Sequence, residues 1–350
     1  MTLRFLSAYN GFIPQATGQV ISYIRSPKDF QLNKYVQYIE SPTTVGVYAK
    51  IDRDQPVRLV DESDFIWADG ADRPSGDWNQ MRFQWVEFSV KRRDYPFRIG
   101  NLALKQGKDS WKPLDHHVGM TAAQAMTNRT NRVVTALETI ANWGSNAASA
   151  ASLNGGAGKW TTASDQPGDP AYNAIRKTLL EAAKRINLAT NGVVKPKDLV
   201  LLISPGLATD MSNTAEIHNY LKFGPFSKAQ LEDSSNDNQQ WGLPPSLYGF
   251  PLTVEDTPRV TTRPTAADSD GNRVYVKSDD SAVLLSRKGG INGVYGAPSF
   301  STIQLYWHEY EMAVYTFDDP KHERLDGHVT DMFAEVLAAP EAGFLITGVK

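Results

Sequence analysis

The N-terminal part of the chain carries no pattern that would let it bury itself, and this limits the possible folds more than any other feature. From Thr2 to Thr44 neither a helical nor a strand period persists. Glycine and proline interrupt every candidate element, at Gly11, Pro14, Gly18, Pro27 and Pro42. A segment of this length without local structure must lie along another surface, its own or a neighbour's. The sequence therefore predicts an extended arm.

The next segment, Val45–Arg98, has the pattern of a long two-stranded ribbon. A first run, Val57–Trp67, is followed by a turn-rich tip at Ala68–Asn79 and by a second run, Met81–Val90. A two-stranded hairpin is at best marginally stable alone in water. We therefore expect the ribbon, like the arm, to need a partner surface.

Charge is distributed unevenly along this ribbon. Residues 61–77 have a net charge of −5, whereas three cationic residues are grouped at the base of the ribbon. The acidic residues are Asp61, Glu62, Asp64, Asp69, Asp72 and Asp77, and the cationic residues are Lys91, Arg92 and Arg93. Surfaces of opposite charge associate, so the pattern suits docking of the tip on the base of a second copy. A ribbon that is merely solvated is the alternative.

The composition places the chain among folded proteins and narrows its partners. Of 350 residues, 41% are hydrophobic and 21% are charged, which is enough to bury cores in two or three folding units. The formal net charge of −3 argues against a dedicated nucleic-acid reader, because such proteins bind phosphates through a basic face. The absence of cysteine removes disulfides, thiolate metal sites and cysteine nucleophiles. The purest apolar run, Leu199–Ile203, is far shorter than the roughly 20 residues that a bilayer requires, so neither an export signal nor a membrane span is expected.

Helices and strands are predicted for the rest of the chain. A helix over Gly119–Trp143 places apolar residues three and four apart and would be about 37 Å long. A second amphipathic helix, Tyr172–Thr190, ends at Asn191-Gly192, and small residues predict a loop over Ala147–Gly158. The elements that follow are a buried strand at Leu199–Ile203, helices at Pro205–Ser212 and Thr214–Lys222, a surface loop at Gly224–Ser246, strands of one central sheet at Leu252–Glu255, Val274–Lys277 and Ala282–Ser286, long strands at Ser301–Phe317 and Val329–Leu337, a solvated turn at Asp318–Glu323, and a last strand at Gly343–Val349.

Motifs that carry chemistry are weak in this sequence. Gly155–Lys159 is not a phosphate loop, because Trp160 stands where a serine or threonine should hold magnesium and no strand leads into it. The adjacent His116 and His117 would point about 100° apart on a helix and would not face one ion. The first two residues of His308–Glu311 lie in a strand pattern and would point to opposite faces. No catalytic residue, cofactor site or metal site is therefore predicted.

Three local motifs occur in a recognisable order. Residues 331–346 end a long strand and pass through Pro340-Glu341-Ala342-Gly343 into a last apolar strand. Leu247–Val254 contains a Leu-x-Gly-apolar-Pro-apolar step into a strand, and Ser204-Pro205 opens a helix after Leu199–Ile203. Together with the arm, the ribbon and the long helix, these motifs resemble the major capsid proteins of tailed double-stranded DNA phages, which have the Hong Kong 97-type capsid fold.

The resemblance implies an α+β chain in which a peripheral and an axial domain are built from discontinuous segments. The implied parts are an N-terminal arm at 1–44, an extended β-hairpin loop at 45–98, a peripheral domain with a spine helix at 99–170, an axial α/β domain at 171–297, returning peripheral strands at 298–339, and a terminal axial strand at 340–350. The extended loop would reach over a neighbouring subunit.

The resemblance also implies a structural protein and not an enzyme. Identical subunits would form pentamers and hexamers that close into an icosahedral shell around double-stranded DNA, without sequence-specific binding. The implied partners are copies of the chain and a portal, with separate scaffolding or decoration proteins left open. No membrane and no cofactor are expected. The implied location is the virion capsid, assembled in the host cytoplasm.

On this interpretation the ribbon and its base form the assembly surface. Its residues are Asp61, Asp64, Trp67, Asp72, Trp78, Trp85, Lys91, Arg92 and Arg93. The alternative is that the rings of the ribbon, including Phe88, only hold it to its own subunit. Lys50 is the one lysine of the ribbon before its base and no partner asparagine is identifiable, so we expect a non-covalent shell. Because the arm begins at Met1, no removable scaffolding segment is expected before it.

Two other functions remain open from the sequence, besides a decoration or other virion structural role, which the pattern of spine helix and axial domain disfavours. The same fold serves in bacterial encapsulin nanocompartments, which enclose enzymes. An oligomeric metal-dependent hydrolase that uses His308, His322 or His328 is the alternative from a different class. Enclosed protein would favour the first of these functions, and stoichiometric metal would favour the second.

Overall fold

A computed structural model describes residues 24–51, 83–107, 112–156, 159–223, 241–261, 273–287 and 301–350, with seven single positions between 54 and 70. The arm before Ile24, most of the ribbon tip and the loop 224–240 lie outside the described residues. The strands are β1 (Gln37–Glu40), β2 (Val45–Ile51), β3 (Phe83–Ser89), β4 (Lys91–Gly100), β5 (Ala147–Ser149), β6 (Leu199–Ile203), β7 (Ser246–Leu247), β8 (Phe250–Val254), β9 (Pro258–Val260), β10 (Arg273–Tyr275), β11 (Ser281–Ser286), β12 (Gln304–Trp307), β13 (Ala313–Asp319), β14 (Arg324–Val336) and β15 (Phe344–Thr347). The α-helices are α1 (Leu32–Tyr35), α2 (Asn101–Gly107), α3 (Pro113–Glu138), α4 (Ala150–Leu153), α5 (Ala174–Ala189), α6 (Pro205–Ser212) and α7 (Ala215–Phe223).

The long strand β14 is the centre of a five-stranded sheet, which we call the long-strand sheet. One edge of β14 pairs with β4, and the other pairs first with β13 and then with β12, all antiparallel. β1 adds a parallel strand outside β12. The strands predicted over Ser301–Phe317 and Val329–Leu337 are thus present, but the first is divided in two.

The division between β12 and β13 corrects the sequence prediction for His308. Residues 308–312 form a bulge between the two strands, with φ angles of 57° at Glu309 and 54° at Met312, while the backbones of His308 and Tyr310 stay hydrogen-bonded to Met332 of β14. His308 consequently does not lie in a strand, and its Nδ1 is 2.8 Å from the carbonyl oxygen of Ser41. A local departure of this kind is invisible in the sequence because the apolar pattern continues on both sides of it. The turn predicted at Asp318–Glu323 is present but shorter, since Pro320–His322 forms a 3₁₀ turn while Asp318 and Asp319 belong to β13.

The second large sheet has the strand order β5-β15-β11-β6-β8-β7. β11 is antiparallel to both β15 and β6, whereas β6 is parallel to β8. The predicted bounds of β6 and α6 are confirmed, and those of α5 differ slightly. One face of this six-stranded sheet packs with α5 and α6 in a core around Trp160, Leu179 and Leu201.

Two predictions for this part of the chain are wrong. The strand predicted at Val274–Lys277 does not join the central sheet, because β10 pairs with β9 in a separate two-stranded ribbon. The side chains of Val274 and Tyr275 are exposed. The apolar residues of this segment therefore did not indicate a buried strand. The loop predicted at Ala147–Gly158 contains β5, which pairs in parallel with β15 at the sheet edge. Three residues are too few to show strand alternation.

The predicted long helix is present, with different ends. α3 begins at Pro113 instead of Gly119 and ends at Glu138 instead of Trp143. Proline suits the first turn of a helix, where its missing N–H would have no intrahelical acceptor. Ile140, which the periodicity assigned to the buried face, is exposed in the 3₁₀ turn beyond the helix.

The described part of the predicted arm belongs to the core, which contradicts the expectation of an extended arm that lies along another surface. Phe30, Leu32 and Tyr35 are buried with Val133 and Leu137 of α3 and with strands of both large sheets in one apolar cluster. The apolar residues of this segment fill less than two helical turns, too short a stretch for a recognisable period. The strand β1 that follows completes the long-strand sheet.

Buried polar contacts join these parts across long sequence separations. The hydroxyl of Tyr35 donates to Glu255 Oε2 at 2.7 Å, and burial raises the pKa of the Glu255 carboxyl. Lys277 Nζ donates to Glu138 Oε1 at 2.7 Å and so ties the end of α3 to the strand β11 region. Burial lowers the pKa of Lys277, and the carboxylate of Glu138 opposes that effect.

The Pro-Glu-Ala-Gly motif is a tight passage between the two large sheets. Pro340–Ala342 forms a 3₁₀ turn, and the side-chain amide of Asn146 donates to the carbonyl oxygens of Glu341 at 3.1 Å and Gly343 at 3.0 Å. A Cβ at Gly343 would lie 2.8 Å from the carbonyl oxygen of Leu284. Glycine is therefore required at position 343, because the backbone of Leu284 comes too close for a side chain to fit.

Replacing Gly343 by alanine is expected to lower the free energy of unfolding by about 1–3 kcal/mol, as overpacking does elsewhere. The added methyl group would meet the backbone of β11, which cannot move without disturbing the sheet. Urea unfolding of the purified variant measures the effect. The matched control is Gly100→Ala, where no atom lies within 4 Å of the new Cβ. Equal losses of unfolding free energy in the two variants would show that the close contact at Gly343 is not the cause.

Candidate assembly surface

The ribbon begins as a regular antiparallel pair of β2 and β3, in which Val45 is opposite Ser89 and Ala49 is opposite Trp85. The strand that pairs with β3 is thus β2 and not the predicted run Val57–Trp67, most of which lies outside the described residues. Successive side chains of a strand point to opposite faces, so the ribbon has two distinct faces.

The inward face of the ribbon packs on the long-strand sheet of its own subunit. Phe88 stacks on Tyr306 of β12, with ring centroids 4.0 Å apart and an interplanar angle of 23°. Gly46 lies directly under the Phe88 ring, where a Cβ would come within 2.5 Å of a ring carbon. Met332 and Ala334 of β14 complete this cluster. For Phe88, therefore, the ring does hold the ribbon to its own subunit.

A charged contact secures the same inward face. Lys50 Nζ lies 2.6 Å from Glu341 Oε1 of the Pro-Glu-Ala-Gly turn. Burial, and then the carboxylate of Glu341, raise the pKa of the neighbouring Tyr48. The one lysine of the ribbon before its base is thus engaged with a carboxylate of its own subunit.

The outward face of the ribbon is exposed and carries apolar side chains together with Glu87, which is opposite Val47. Trp85 has 60% of its surface accessible, and Val45 and Val47 on the same face are also exposed. Trp85 and Phe88 belong to one strand but differ in burial because they point to opposite faces. Exposed aromatic and aliphatic groups in a contiguous patch indicate an interaction surface.

The three cationic residues at the ribbon base have different environments in β4. The side chain of Arg93 donates to the carbonyl oxygen of Phe333 at 2.9 Å and lies 4.3 Å from the centroid of its ring. Burial lowers the pKa of Arg93, although Glu335 opposes this effect. Lys91 and Arg92 are exposed, and Arg92 Nε lies 3.3 Å from Asp94. Arg93 thus binds within the sheet of its own subunit, while the side chains of Lys91 and Arg92 are exposed to solvent.

The remaining predicted assembly residues belong to the tip of the ribbon. Trp67 is described and is exposed. Asp61, Asp64, Asp72 and Trp78 lie outside the described residues.

Part of the long-strand sheet carries an aromatic row that the sequence did not single out. Tyr315 and Phe317 of β13 lie 5.7 Å and 5.9 Å from the ring of His328 on β14, and Tyr310 lies 5.9 Å from Tyr315. Phe317 is 52% and Tyr315 is 41% exposed. We call these four residues the aromatic row. The only signal in the sequence was the alternation of Tyr315 and Phe317, which does not distinguish a buried face from an exposed one.

The histidines do not form a metal-binding group with carboxylates. Within the described ranges, no three His, Asp or Glu side chains are grouped as ligands of one ion would be. His322 Nδ1 lies 2.7 Å from Asp319, and His328 contacts the rings of β13. Among the described helices, none has the length and apolar character needed to cross a bilayer.

A long-strand sheet crossed by a spine helix, a mixed six-stranded sheet and a ribbon leading out of the body together define a class: the chain has the Hong Kong 97-type capsid fold. A phage-related protein from Bordetella bronchiseptica RB50 superposes with a TM-score of 0.60 and 11% identity, covering 96% of this chain and 95% of that one. The capsid of the cyanophage P-SCSP1u gives 0.56 and 11%, with 94% and 90% covered. The SrpI encapsulin of Synechococcus elongatus PCC 7942 gives 0.52 and 7%, with 96% and 94% covered. No protein-family model matches the sequence, and no curated protein matches it.

Proposed function

We propose that this chain is the major capsid protein of a tailed phage. The observation that carries the proposal is the extent of the fold similarity, which covers 94% of this chain and 90% of the chain in the cyanophage capsid. The exposed apolar side chains on the outward face of the ribbon support this proposal, because proteins that stay monomeric rarely expose such groups together. Its role is structural, without catalysis.

The proposed domains follow from the resemblance in the sequence. Residues 99–170 and 298–339 form the peripheral domain around α3 and β14. Residues 171–297 and 340–350 form the axial domain around the six-stranded sheet, while 1–44 and 45–98 are the arm and the extended loop. The buried position of Phe30, Leu32 and Tyr35 excludes this segment from a freely extending arm.

Assembly is proposed to rest on repeated heterologous contacts between identical subunits. Such contacts, in which two different surfaces meet, generate closed rings, here pentamers and hexamers that together close an icosahedral shell. The acidic segment 61–77 of the ribbon is proposed to dock on the cationic base of the next copy, of which Lys91 and Arg92 are accessible. The shell encloses double-stranded DNA without sequence-specific contacts, acts with a portal, and assembles in the host cytoplasm.

The test is to express the chain, alone and with its neighbouring genes, and to examine the product by negative-stain electron microscopy. Uniform polyhedral particles are expected. Soluble dimers or tetramers under all conditions would refute the proposal. Boiling the particles in denaturant should give a single band near 38.7 kDa, because the subunits are held non-covalently. A ladder of higher bands would contradict the non-covalent shell.

An encapsulin-like nanocompartment is the second candidate, supported by the similarity to the SrpI encapsulin. The two functions differ in what the shell encloses. If the chain is a phage capsid protein, purified particles from the natural source should contain packaged DNA, and mass spectrometry should find portal protein in them. A stoichiometric enclosed enzyme would indicate the nanocompartment instead.

A further inference from the structure

We propose that Glu255 and Asp256 form a clasp that holds the segment 24–40 to the end of β8, and that this clasp is tighter at acidic than at neutral pH. The two residues directly follow β8 in the six-stranded sheet. The inference concerns the fold of a single subunit and does not depend on the proposed function. It adds a polar, titratable contact to the apolar core in which this segment is buried.

The clasp has two points of contact with the segment. The hydroxyl of Tyr35 donates to Glu255 Oε2 at 2.7 Å, and both residues are completely buried. Nearer the start of the segment, Arg25 Nη2 lies 2.8 Å from Asp256 Oδ1. The guanidinium of Arg25 also lies over the ring of Phe30, 4.7 Å from its centroid. Two consecutive carboxylates thus bind the segment on either side of Phe30.

The acceptor oxygens of Glu255 are shared between the segment and the end of β8. Oε1 accepts from the hydroxyl and the backbone N–H of Thr257, and Oε2 accepts from Tyr35. A buried carboxylate is costly unless hydrogen bonds replace the water that it loses. Of these donors, the Tyr35 hydroxyl is the one that comes from the segment. Opening of the segment therefore removes that donor and gives the carboxylate access to water.

The charged groups close to the clasp are matched with other partners. Asp256 is the next residue, and its negative charge raises the pKa of Glu255. Arg25 is bound to Asp256. On the segment after β10, Lys277 Nζ donates to Glu138 Oε1 at 2.7 Å. These two cations are thus engaged by other carboxylates, and Glu255 relies on neutral donors.

The burial of Glu255 makes the clasp depend on pH. Burial raises the pKa of the Glu255 carboxyl, and the hydrogen bonds from Thr257 and Tyr35 oppose this effect only in part. When the segment opens, the carboxyl meets water and its pKa returns towards the ordinary glutamate value. The closed segment therefore binds the proton more tightly than the open one. The clasp has its full stability below the ordinary glutamate pKa and loosens as the pH rises through the raised pKa.

Tyr35 remains a hydrogen-bond donor throughout this pH range. Burial, and then the charge of Glu255, raise the pKa of Tyr35 well above the usual value of a phenol. The hydroxyl consequently keeps its proton while Glu255 titrates. The change in the clasp is thus due to the carboxyl and not to its donor.

Hydrogen exchange followed by mass spectrometry on the full-length protein measures the opening of the segment. The protection factor of peptides covering residues 30–38 is determined at about pH 5 and about pH 8, at matched oligomeric state and corrected for the intrinsic exchange rate. In the wild type this factor should fall about tenfold for each pH unit between the pKa values of Glu255 in the open and the closed segment. Glu255→Gln, which keeps the shape of the side chain but cannot ionise, should lose this pH dependence.

Glu216 provides a matched control elsewhere in the subunit. Its carboxylate is also buried, and burial raises its pKa. It accepts from the backbone N–H groups of Ile175 and Arg176 at the start of α5 and from the hydroxyl of Tyr248. Glu216→Gln should therefore change exchange at the start of α5 and leave the pH dependence of residues 30–38 as in the wild type.

Tyr35→Phe keeps the test decisive if Glu255→Gln does not fold. This variant removes the hydroxyl donor and retains the ring in the core. A hydrogen bond to a charged group is stronger than one to a neutral group. Exchange of residues 30–38 should therefore rise by roughly tenfold or more at about pH 8, but only a few-fold at about pH 5.

Loss of the pH dependence in Glu255→Gln, or the pH-selective effect of Tyr35→Phe, supports the clasp. Three results would overturn it: a wild-type protection factor that is the same at both pH values, a Glu255→Gln variant that keeps the wild-type dependence, or an equal loss of dependence in Glu216→Gln. An effect of Tyr35→Phe that is equal at both pH values would also overturn it. These results leave the proposed function intact, because that is decided by the particles seen in electron microscopy.

Discussion

The variant Arg129→Met is expected to lose about 3–5 kcal/mol of unfolding free energy, the usual consequence of breaking a buried ion pair from one side. Arg129 Nη2 lies 2.5 Å from Asp331 Oδ1, and both side chains are almost completely buried between α3 and β14. Without the guanidinium, the Asp331 carboxylate would remain in the interior without this partner. Chemical unfolding monitored by tryptophan fluorescence, at matched oligomeric state, measures the loss.

The chain offers a closely matched control for that experiment. Arg132 lies on the same helix and pairs at 3.1 Å with Glu335 on the same strand, but its side chain is 41% exposed. Arg132→Met should therefore cost less than about 1 kcal/mol, as exposed ion pairs do. In the double variant Arg129→Met with Asp331→Leu, much of the stability should return, because no charge is left buried. Similar losses for Arg129→Met and Arg132→Met would show that burial of the pair is not the cause.

The variant Leu32→Ala is expected to lower the free energy of unfolding by about 2–5 kcal/mol, the range for large-to-small changes in a packed core. Leu32 is completely buried in the cluster that joins α3 to both large sheets. The sequence assigned it to an extended arm, for which the same change would cost almost nothing. The measured loss therefore discriminates directly between a surface arm and a core segment.

Leu102→Ala serves as the control for Leu32→Ala, because Leu102 is an exposed leucine on α2. Its expected effect is within about 0.5 kcal/mol, as at other exposed positions. A small effect at Leu32 as well would mean that residues 24–40 do not contribute to the core. Thermal unfolding of the two variants beside the wild type gives an independent measurement.

Elements with a sustained local pattern were predictable from the sequence. α3 and α5 repeat their apolar residues over several turns, and β6 with α6 combine a continuous apolar run with a Ser-Pro helix start. In α6 the Ser204 hydroxyl accepts from the backbone N–H of Leu207, as an N-cap should. In each case the residues that decide the structure are close neighbours in the chain.

Short elements and their partners were not predictable in the same way. β5 has three residues, and its parallel partner β15 is almost two hundred residues away in the chain. β10 has the same length and contains Val274 and Tyr275, yet it pairs outside the central sheet. Local composition does not contain this information, because strand pairing is decided by which distant backbone has free donors and acceptors.

In the candidate assembly surface, too, the segments were predictable from the sequence, but the environments of single side chains were not. Its ribbon, the uneven charge of that ribbon and its cationic base are visible in the sequence. The difference between Phe88, which stacks on Tyr306, and Trp85, which is exposed, is not visible there. Nor does the sequence separate Arg93, which binds the Phe333 carbonyl, from the exposed Lys91 and Arg92.

By itself, then, the sequence determined the order of the parts, the long helix and the C-terminal motifs, and from these the resemblance to phage capsid proteins. Only the tertiary structure decided that residues 30–36 complete a shared core, and that one face of the ribbon and one end of the long-strand sheet are left exposed. The physical reason is that an apolar side chain has the same chemistry whether its own subunit or another copy covers it. Which of the two applies depends on packing between residues that are far apart in the chain.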